Sequence, residues 1–233
     1  DIAAERVFAP WIDAEQIMRQ KEIDLFSLES KAALSSFDVV GFSLTNELCY
    51  TNVLNMLNLG NIPIHSSDRT ESDPIIIAGG TMANCCEPVA DFIDLFLIGE
   101  GEDAIPQLTE LIKNEKLAGT SKEKTLKKAA EKFNWVYVPR FYEFEYENAA
   151  IKSFTSAFDN LPTEMSNAAV KDFENAPVPL APIVPFAKAV HERVSVEIMR
   201  GCPGRCRFCQ ASFCRRPIRF RSVEKILDIA KKS

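Results

Sequence analysis

Short apolar runs alternate with amphipathic segments along the first half of the chain. The runs end in Gly, Ser or Thr and fit buried parallel strands, and between them apolar residues recur at helical spacing. The predicted strands are 38–44, 74–78 and 94–98, and the predicted helices are 46–59, 104–112 and 121–133. In the helix 46–59 the apolar positions are Leu48, Val53, Leu54 and Leu57. This alternation predicts an α/β layer with a doubly wound parallel sheet.

The pattern changes in the middle of the chain. Residues 135–139, 140–147 and 151–158 favour strands, with a hairpin across Asn148-Ala149. Four prolines in 176–186 indicate an extended connector. After it, 193–199 alternates like a strand, and 222–232 is an amphipathic helix with Ser222 as its N-cap. We therefore divide the chain into an α/β domain (1–118), a helix and hairpin region (119–175), a linker (176–188) and the start of a second domain (189–233).

The composition is that of a folded chain in a reducing compartment. Of the 233 residues, 46% are hydrophobic and 9% aromatic, which excludes intrinsic disorder. The sequence has neither an apolar run of about 18 residues nor a secretory signal at its start, so we expect no membrane partner. Seven cysteines without an export signal indicate a cytoplasmic protein whose thiols serve as ligands or core residues.

The net charge of −6 is unevenly distributed. Ten of the 27 basic residues, but only two of the 33 acidic residues, lie in 199–233. Four of the seven cysteines lie there as well. The chemistry of the protein is therefore expected near this end of the chain.

A stretch with the sequence G-C-P-G-R-C-R-F-C contains Cys202, Cys206 and Cys209. Two or three intervening residues let a short loop turn its thiols toward one centre, and thiolates are the usual protein ligands of iron–sulfur clusters. Three ligands would leave one iron open to a small molecule. Gly201 and Gly204 remove side-chain bulk where the backbone must wrap the cluster.

This stretch resembles the cluster loop of radical S-adenosylmethionine (SAM) enzymes, C-x3-C-x-aromatic-C, with Phe208 as the aromatic residue. The resemblance implies that Cys202, Cys206 and Cys209 bind a [4Fe–4S] cluster. It also implies that SAM chelates the open iron, and that an electron from the cluster cleaves SAM to methionine and a 5′-deoxyadenosyl radical. Phe208 would pack near the adenine. The loop would follow the first strand of a partial or full β/α barrel of the TIM type, and the electron donor would be a protein such as flavodoxin or ferredoxin.

Other interpretations of this end of the chain stay open. The thiols also suit a zinc site, or, with Cys214 as a fourth ligand, a closed cluster used only for electron transfer. The seven arginines of this region fit local neutralisation of an anionic cluster, and they also fit a nucleic-acid footprint.

The first part of the chain resembles the cobalamin-binding type of Rossmann domain that precedes the barrel in one branch of the family. The matching pieces are G-F-S-L-T, I-A-G-G and I-G-E-G-E, each after a predicted strand. The resemblance implies that Ser43, Gly79 and Gly80 line a cleft for the nucleotide tail of cobalamin. The D-x-H-x-x-G motif of histidine-ligated cobalamin binders is missing, and His65 and His191 are interpreted as ordinary turn or surface residues.

Cys49, Cys85 and Cys86 each follow a predicted strand, which raises an alternative function. tRNA methylthiotransferases of the radical SAM family hold a second cluster on three N-terminal cysteines. The local sequences N-E-L-C-Y and A-N-C-C-E do not match the motifs of that family, so small half-buried residues are the simpler interpretation.

The resemblance further indicates that the chain is a fragment. The strand that would carry the cobalamin loop is missing from the α/β domain, and the barrel stops after one strand and one helix. The contacts that choose between a small-molecule and a macromolecular substrate would lie beyond Ser233.

Overall fold

The computed structural model describes residues 2–181 and 194–233, and the chain divides into two units, Asp1–Ala168 and Ala169–Ser233. The division falls ahead of the Pro-rich segment, so residues 169–176 belong to the unit that carries the cysteine loop. Most of the predicted linker 176–188, the predicted domain start at 189, His191 and the first residue of the predicted strand 193–199 lie outside the described residues.

A four-stranded sheet forms the centre of the first unit. Its strands are β1 (Val39–Ser43), β2 (Ile75–Gly79), β3 (Leu95–Leu97) and β4 (Val136–Tyr137), in that order across the sheet. β1, β2 and β3 run parallel, and β4 runs antiparallel to β3. All of β3 and the first four residues of β2 are buried, as expected for strands covered on both faces. The predicted α/β class with parallel strands is confirmed, although the strand order does not reverse among these four strands.

Four α-helices accompany the sheet: α1 (Ile12–Lys21), α2 (Tyr50–Leu59), α3 (Gly101–Leu117) and α4 (Lys122–Lys132). α3 is longer than predicted at both ends, and it buries Leu108 and Ile112. α4 buries Leu126 and Ala129 and keeps most of its lysines toward solvent, as its sequence indicates. Among the residues that the structure describes, no helix has the length and apolar character needed to cross a membrane.

The start of α2 differs from the prediction. Residues Glu47–Cys49 form a 3-10 turn, and the α-helix begins only at Tyr50. Leu48, predicted on the apolar face, is 86% exposed. A 3-10 turn advances by a third of a circle per residue, and Leu48 therefore falls out of phase with the buried Val53 and Leu57.

A two-stranded hairpin follows the sheet, as predicted. Its strands are β5 (Tyr142–Glu147) and β6 (Ala150–Ser156). Asn148 and Ala149 both have positive φ, at 50° and 62°, which is the conformation that a two-residue hairpin turn of the favoured twist requires. The rings of Phe144 and Phe154, paired across the strands, lie 4.8 Å apart between centroids.

The second unit is small and rich in arginine. It contains β7 (Met199–Arg200), α5 (Ala211–Cys214), β8 (Arg219–Phe220) and α6 (Val223–Lys232). β7 and β8 pair antiparallel. The Ser222 hydroxyl accepts a hydrogen bond of 3.1 Å from the Lys225 amide, which confirms the predicted N-cap.

The strand predicted at 193–199 is wrong over most of its length. Residues 194–198 have no regular structure, and β7 comprises only the next two residues. Alternation of apolar side chains makes a strand only where a neighbour supplies hydrogen bonds. Within the described part of the second unit, β8 is the partner of β7, and it is two residues long and antiparallel.

A buried carboxylate connects the sheet to the loops of the first unit. Asp94 accepts hydrogen bonds from the Ile76 amide at 2.8 Å and from Arg69 at 3.1 Å, and it also pairs with Arg140. Arg69 in turn donates to the carbonyl oxygens of Ile64 and Phe92. Removing the carboxylate would leave a buried cation without its counter-charge.

Asp94→Ala is therefore expected to lower the free energy of unfolding by about 3–5 kcal/mol. Asp38→Ala is the matched control, because Asp38 pairs with Lys116 where both side chains are about two-thirds exposed (65% and 64%). This variant should lower the free energy of unfolding by less than about 1 kcal/mol. Urea unfolding of both variants measures the difference, and equal losses would show that Asp94 does not hold the fold.

Candidate metal centre

The cysteine loop (residues 201–209) begins directly after β7 and ends just before α5. The pairing of β7 with β8 holds the two ends of the surrounding chain together. Gly201 has φ of 95°, and a Cβ there would lie 2.6 Å from the Arg215 carbonyl oxygen, so only glycine fits at the entry to the loop. The Cys209 amide donates to the Cys206 carbonyl oxygen at 3.0 Å and closes a turn.

Gly204 separates the first two thiols. A Cβ on Gly204 would lie 3.5 Å from the Cys202 sulfur and 3.6 Å from the Cys206 sulfur. Both thiols therefore face the same point beside a residue that has no side chain. Cys202 and Cys206 are exposed and Cys209 is half-buried. Soft sulfur donors around an open space suit an iron–sulfur cluster.

The thiols are not gathered around a single ion. In the part of the chain that the structure describes, no three His, Cys, Asp or Glu side chains are placed to hold one metal ion. A closed zinc site would need four ligands around one centre. In a cluster each thiolate binds a different iron.

Four arginines of this unit hydrogen-bond to its own backbone or carboxylates, a structural role that the sequence did not reveal. Arg200 donates two hydrogen bonds of 2.9 Å to the carboxylate of Glu197 and holds the pKa of that carboxyl below its usual range. Arg221 is buried and donates to backbone carbonyl oxygens, including that of Glu197 at 3.1 Å. Arg219 donates to the Val170 carbonyl oxygen at 3.2 Å.

Arg216, the fourth, ties the cysteine loop to the segment that follows it. Its guanidinium donates to the carbonyl oxygens of Ser212 at 2.7 Å and Gly204 at 3.4 Å. The Ser212 hydroxyl donates to the Cys209 carbonyl oxygen at 2.8 Å. These bonds fix the backbone on both sides of Cys206. Arg205 and Arg207, which flank the same thiol, are exposed.

The residues predicted for a cobalamin cleft lie at the carboxyl ends of β1 and β2, and the chain itself fills the space beside one of them, Gly80. Ser43 is exposed and pairs in register with Gly79. Gly80 has φ of 98°, and a Cβ there would lie 2.8 Å from the Leu44 carbonyl oxygen. The Leu44 amide donates to the Gly79 carbonyl oxygen at 2.7 Å. Close approach of Leu44 therefore accounts for Gly80, whereas a Cβ on Gly79 would make only ordinary contact, 3.5 Å from the Leu97 carbonyl oxygen.

The space beside the glycine that follows β3 is also filled by the chain. Gly99 has φ of 109°, and a Cβ there would lie 2.3 Å from the Ala168 carbonyl oxygen. The Ala168 amide donates to the Ile98 carbonyl oxygen, and the Ala168 carbonyl oxygen accepts from the Glu100 amide, both at 2.8 Å.

His65 packs against an aromatic ring, as expected for an ordinary residue. The centroid of its ring lies 5.0 Å from that of Phe92.

The N-terminal cysteines have different surroundings. Cys85 is exposed, and its carbonyl oxygen accepts a 3.0 Å hydrogen bond from the Tyr50 hydroxyl. Cys49 is half-buried and donates to the Asn46 carbonyl oxygen at 2.7 Å. Cys86 lies in the hydrophobic core, and burial raises the pKa of its thiol to about 12. A thiol that resists ionisation is a poor cluster ligand, which disfavours a second cluster on these three residues.

Comparisons with known proteins extend over most of the chain. A family model described as the N-terminal part of radical SAM proteins matches residues 1–139. An uncharacterized protein of Methanocaldococcus jannaschii is 25% identical over 217 residues, which covers 91% of this chain and 39% of that relative. The chain thus spans about two-fifths of the length of the curated relative that it matches.

If Ala168 fills the space beside Gly99, Gly99→Ala should lower the free energy of unfolding by at least about 2 kcal/mol more than Gly119→Ala. Gly119 also has positive φ, at 69°, but a Cβ there would contact nothing within 4 Å. Gly119→Ala is therefore expected to lower the free energy of unfolding by only about 1 kcal/mol. Urea unfolding provides the measurement. Equal losses would mean that the space beside Gly99 is open to a ligand.

The two adjacent cysteines should react differently with a maleimide at pH 8. Cys85 is exposed, whereas a thiol with a pKa of about 12 is only about 10⁻⁴ ionised at that pH. Peptide mapping by mass spectrometry should find Cys85 labelled and Cys86 protected in the native protein, and both labelled in urea. Labelling of native Cys86 at the rate of Cys85 would refute its burial.

Proposed function

This chain belongs to the family of radical SAM proteins, and on that premise we propose that it is part of an enzyme in which Cys202, Cys206 and Cys209 bind a [4Fe–4S] cluster. The observation that carries the proposal is the cradle at Gly204, which two of these sulfurs face. The motif C-x3-C-x-F-C supplies the third thiol one turn later, where the Cys209 amide bonds back to Cys206.

When bound, the cluster supplies the electron that cleaves SAM reductively to methionine and a 5′-deoxyadenosyl radical. The residues of this chain would bind the cluster and hold the loop that carries its ligands. The three thiols, once deprotonated, would bind three of the irons, and the family resemblance implies that SAM would bind the fourth. Arg216 keeps the backbone at Gly204 in place through its carbonyl oxygen.

Phe208 is proposed to contact the adenine of SAM. It directly precedes Cys209 and is 93% exposed, so its ring face is accessible to a planar base. Aromatic rings attract such bases by stacking.

The electron donor is proposed to be an acidic redox protein of the flavodoxin or ferredoxin kind. Arg205 and Arg207 are exposed beside Cys206, and positive charge at the site of encounter steers an acidic partner toward the cluster. The same charges would serve a nucleic-acid substrate, and the substrate itself is proposed to contact parts of the protein outside this chain.

The α/β layer is proposed to have a structural role rather than to bind cobalamin. Gly80 and Gly99, at two of its strand ends, approach Leu44 and Ala168 closely, and this packing by itself accounts for glycine at those two positions.

The test is anaerobic reconstitution of the full-length protein with iron and sulfide, followed by addition of SAM. We expect about four irons per chain and a cluster spectrum that SAM perturbs. Cys202→Ala, Cys206→Ala and Cys209→Ala should each leave less than about one iron per chain. Cys214→Ala is the matched control, because it removes a neighbouring thiol outside the motif, and it should retain the full cluster.

Two results would reject the proposal. One is a protein that takes up zinc but no iron. The other is a cluster that is insensitive to SAM and is lost in Cys214→Ala, which would indicate a closed four-thiolate site.

A further inference from the structure

The ring of Phe173 lies against three arginines of the second unit. The guanidinium carbons of Arg221, Arg200 and Arg219 lie 4.5, 5.0 and 5.8 Å from its centroid. Phe173 is only 4% exposed and packs with Val170 and Ala176 in a small apolar cluster. One aromatic ring thus contacts three cations in a site shielded from water, where cation–π attraction is strongest.

Residues 170–176, here called the strap, also accept hydrogen bonds from these arginines. Arg221 donates to the Glu174 carbonyl oxygen at 2.8 Å and to that of Ala176 at 3.4 Å. Arg219 donates to the Val170 carbonyl oxygen. The strap therefore meets two of the three arginines through both its ring and its backbone.

The strap is fixed a second time at the start of α6. The Glu174 carboxylate accepts a 2.9 Å hydrogen bond from the Ser222 amide and another from the Ser222 hydroxyl. Ser222 is the N-cap of that helix. A carboxylate at this position is favoured by the helix dipole.

All three arginines lie in or next to β7 and β8, the paired strands on either side of the cysteine loop, here called its neck. Arg200 directly precedes Gly201, and Arg200 pairs with Arg219 between β7 and β8. Arg221 donates to the Glu197 carbonyl oxygen, just ahead of β7. We propose that Phe173 is a positioning residue for the iron–sulfur site: its ring holds the arginines of β7 and β8 and of the residue after β8, and the pairing of these two strands closes the segment that contains the cysteine loop. The inference rests on the proposed function and deepens it.

The ring face is the essential feature. Three guanidinium groups around one point repel each other. The Glu197 carboxylate offsets the charge of Arg200, and the π face of Phe173 adds partial negative charge that all three guanidinium groups approach. A leucine is apolar and fills most of the space, but it has no such face. Tyrosine retains the face, provided that its hydroxyl is accommodated.

The experiment compares Phe173→Leu, Phe173→Tyr and Phe220→Leu in the full-length protein. Phe220→Leu is the control, because it makes the same change on β8 at a ring that is 66% exposed. After reconstitution, the rate of iron loss to a chelator is followed by the cluster absorbance. We expect Phe173→Leu to lose iron about 10- to 100-fold faster than the wild type, with Phe173→Tyr and Phe220→Leu close to the wild type.

A second readout does not depend on iron. Trypsin cleaves after arginine, and in the apoprotein it should cut at the exposed Arg205 and Arg207 but spare the buried Arg200 and Arg221. In Phe173→Leu, trypsin should cut after Arg200 and Arg221 at least tenfold faster than in the wild type. Phe173→Tyr should give the wild-type fragment pattern.

The outcomes separate the two proposals. A wild-type protein that takes up no iron rejects the proposed function. A wild-type protein with a normal cluster, together with a Phe173→Leu variant that keeps both its iron and its wild-type proteolysis, rejects the positioning role alone. Equal defects in Phe173→Leu and Phe173→Tyr also reject it, because they assign the effect to packing volume rather than to the ring face.

Discussion

A guanidinium that leaves water needs hydrogen-bond acceptors for its N–H groups, and each unit of this chain contains a buried arginine whose three guanidinium nitrogens all donate. Moving a cation into the interior costs several kcal/mol unless hydrogen bonds and counter-charges replace the water. Arg69 meets this requirement with Asp94 and with carbonyl oxygens from two loops. Arg221 meets it with three carbonyl oxygens and the ring of Phe173. Since these acceptors come from separate segments, each buried arginine fixes several parts of the chain at once.

The second unit shows what this constraint does for a functional site. Its three motif thiols lie on an exposed loop with little apolar surface of its own, and hydrophobic burial therefore cannot hold that loop in shape. Arg216 and the arginines at the neck provide the frame instead, through bonds to the backbone. A cluster needs its ligands held closely in position, and groups one layer behind the ligands usually supply that order.

The first unit shows how one sequence pattern arises from two causes. Glycines at the ends of parallel strands predict a ligand cleft when the backbone must approach a cofactor. The same glycines are required when another segment of the chain approaches equally closely. Gly99 and Gly80 belong to the second case, because Ala168 and Leu44 occupy the positions that a ligand would need.

The sequence by itself determined the features that depend on near neighbours. The parallel strands, the hairpin turn at Asn148-Ala149, the Ser222 cap and the C-x3-C-x-F-C motif all follow from residues a few positions apart. It placed Leu48 on the wrong face, because the local geometry of a 3-10 turn is not visible in apolar spacing. Tertiary structure alone decided the roles of the arginines, of Phe173 and of Ala168. Arg221 and Glu174 are 47 residues apart, and no pattern of spacing along the chain predicts which distant carbonyl oxygens a buried cation will meet.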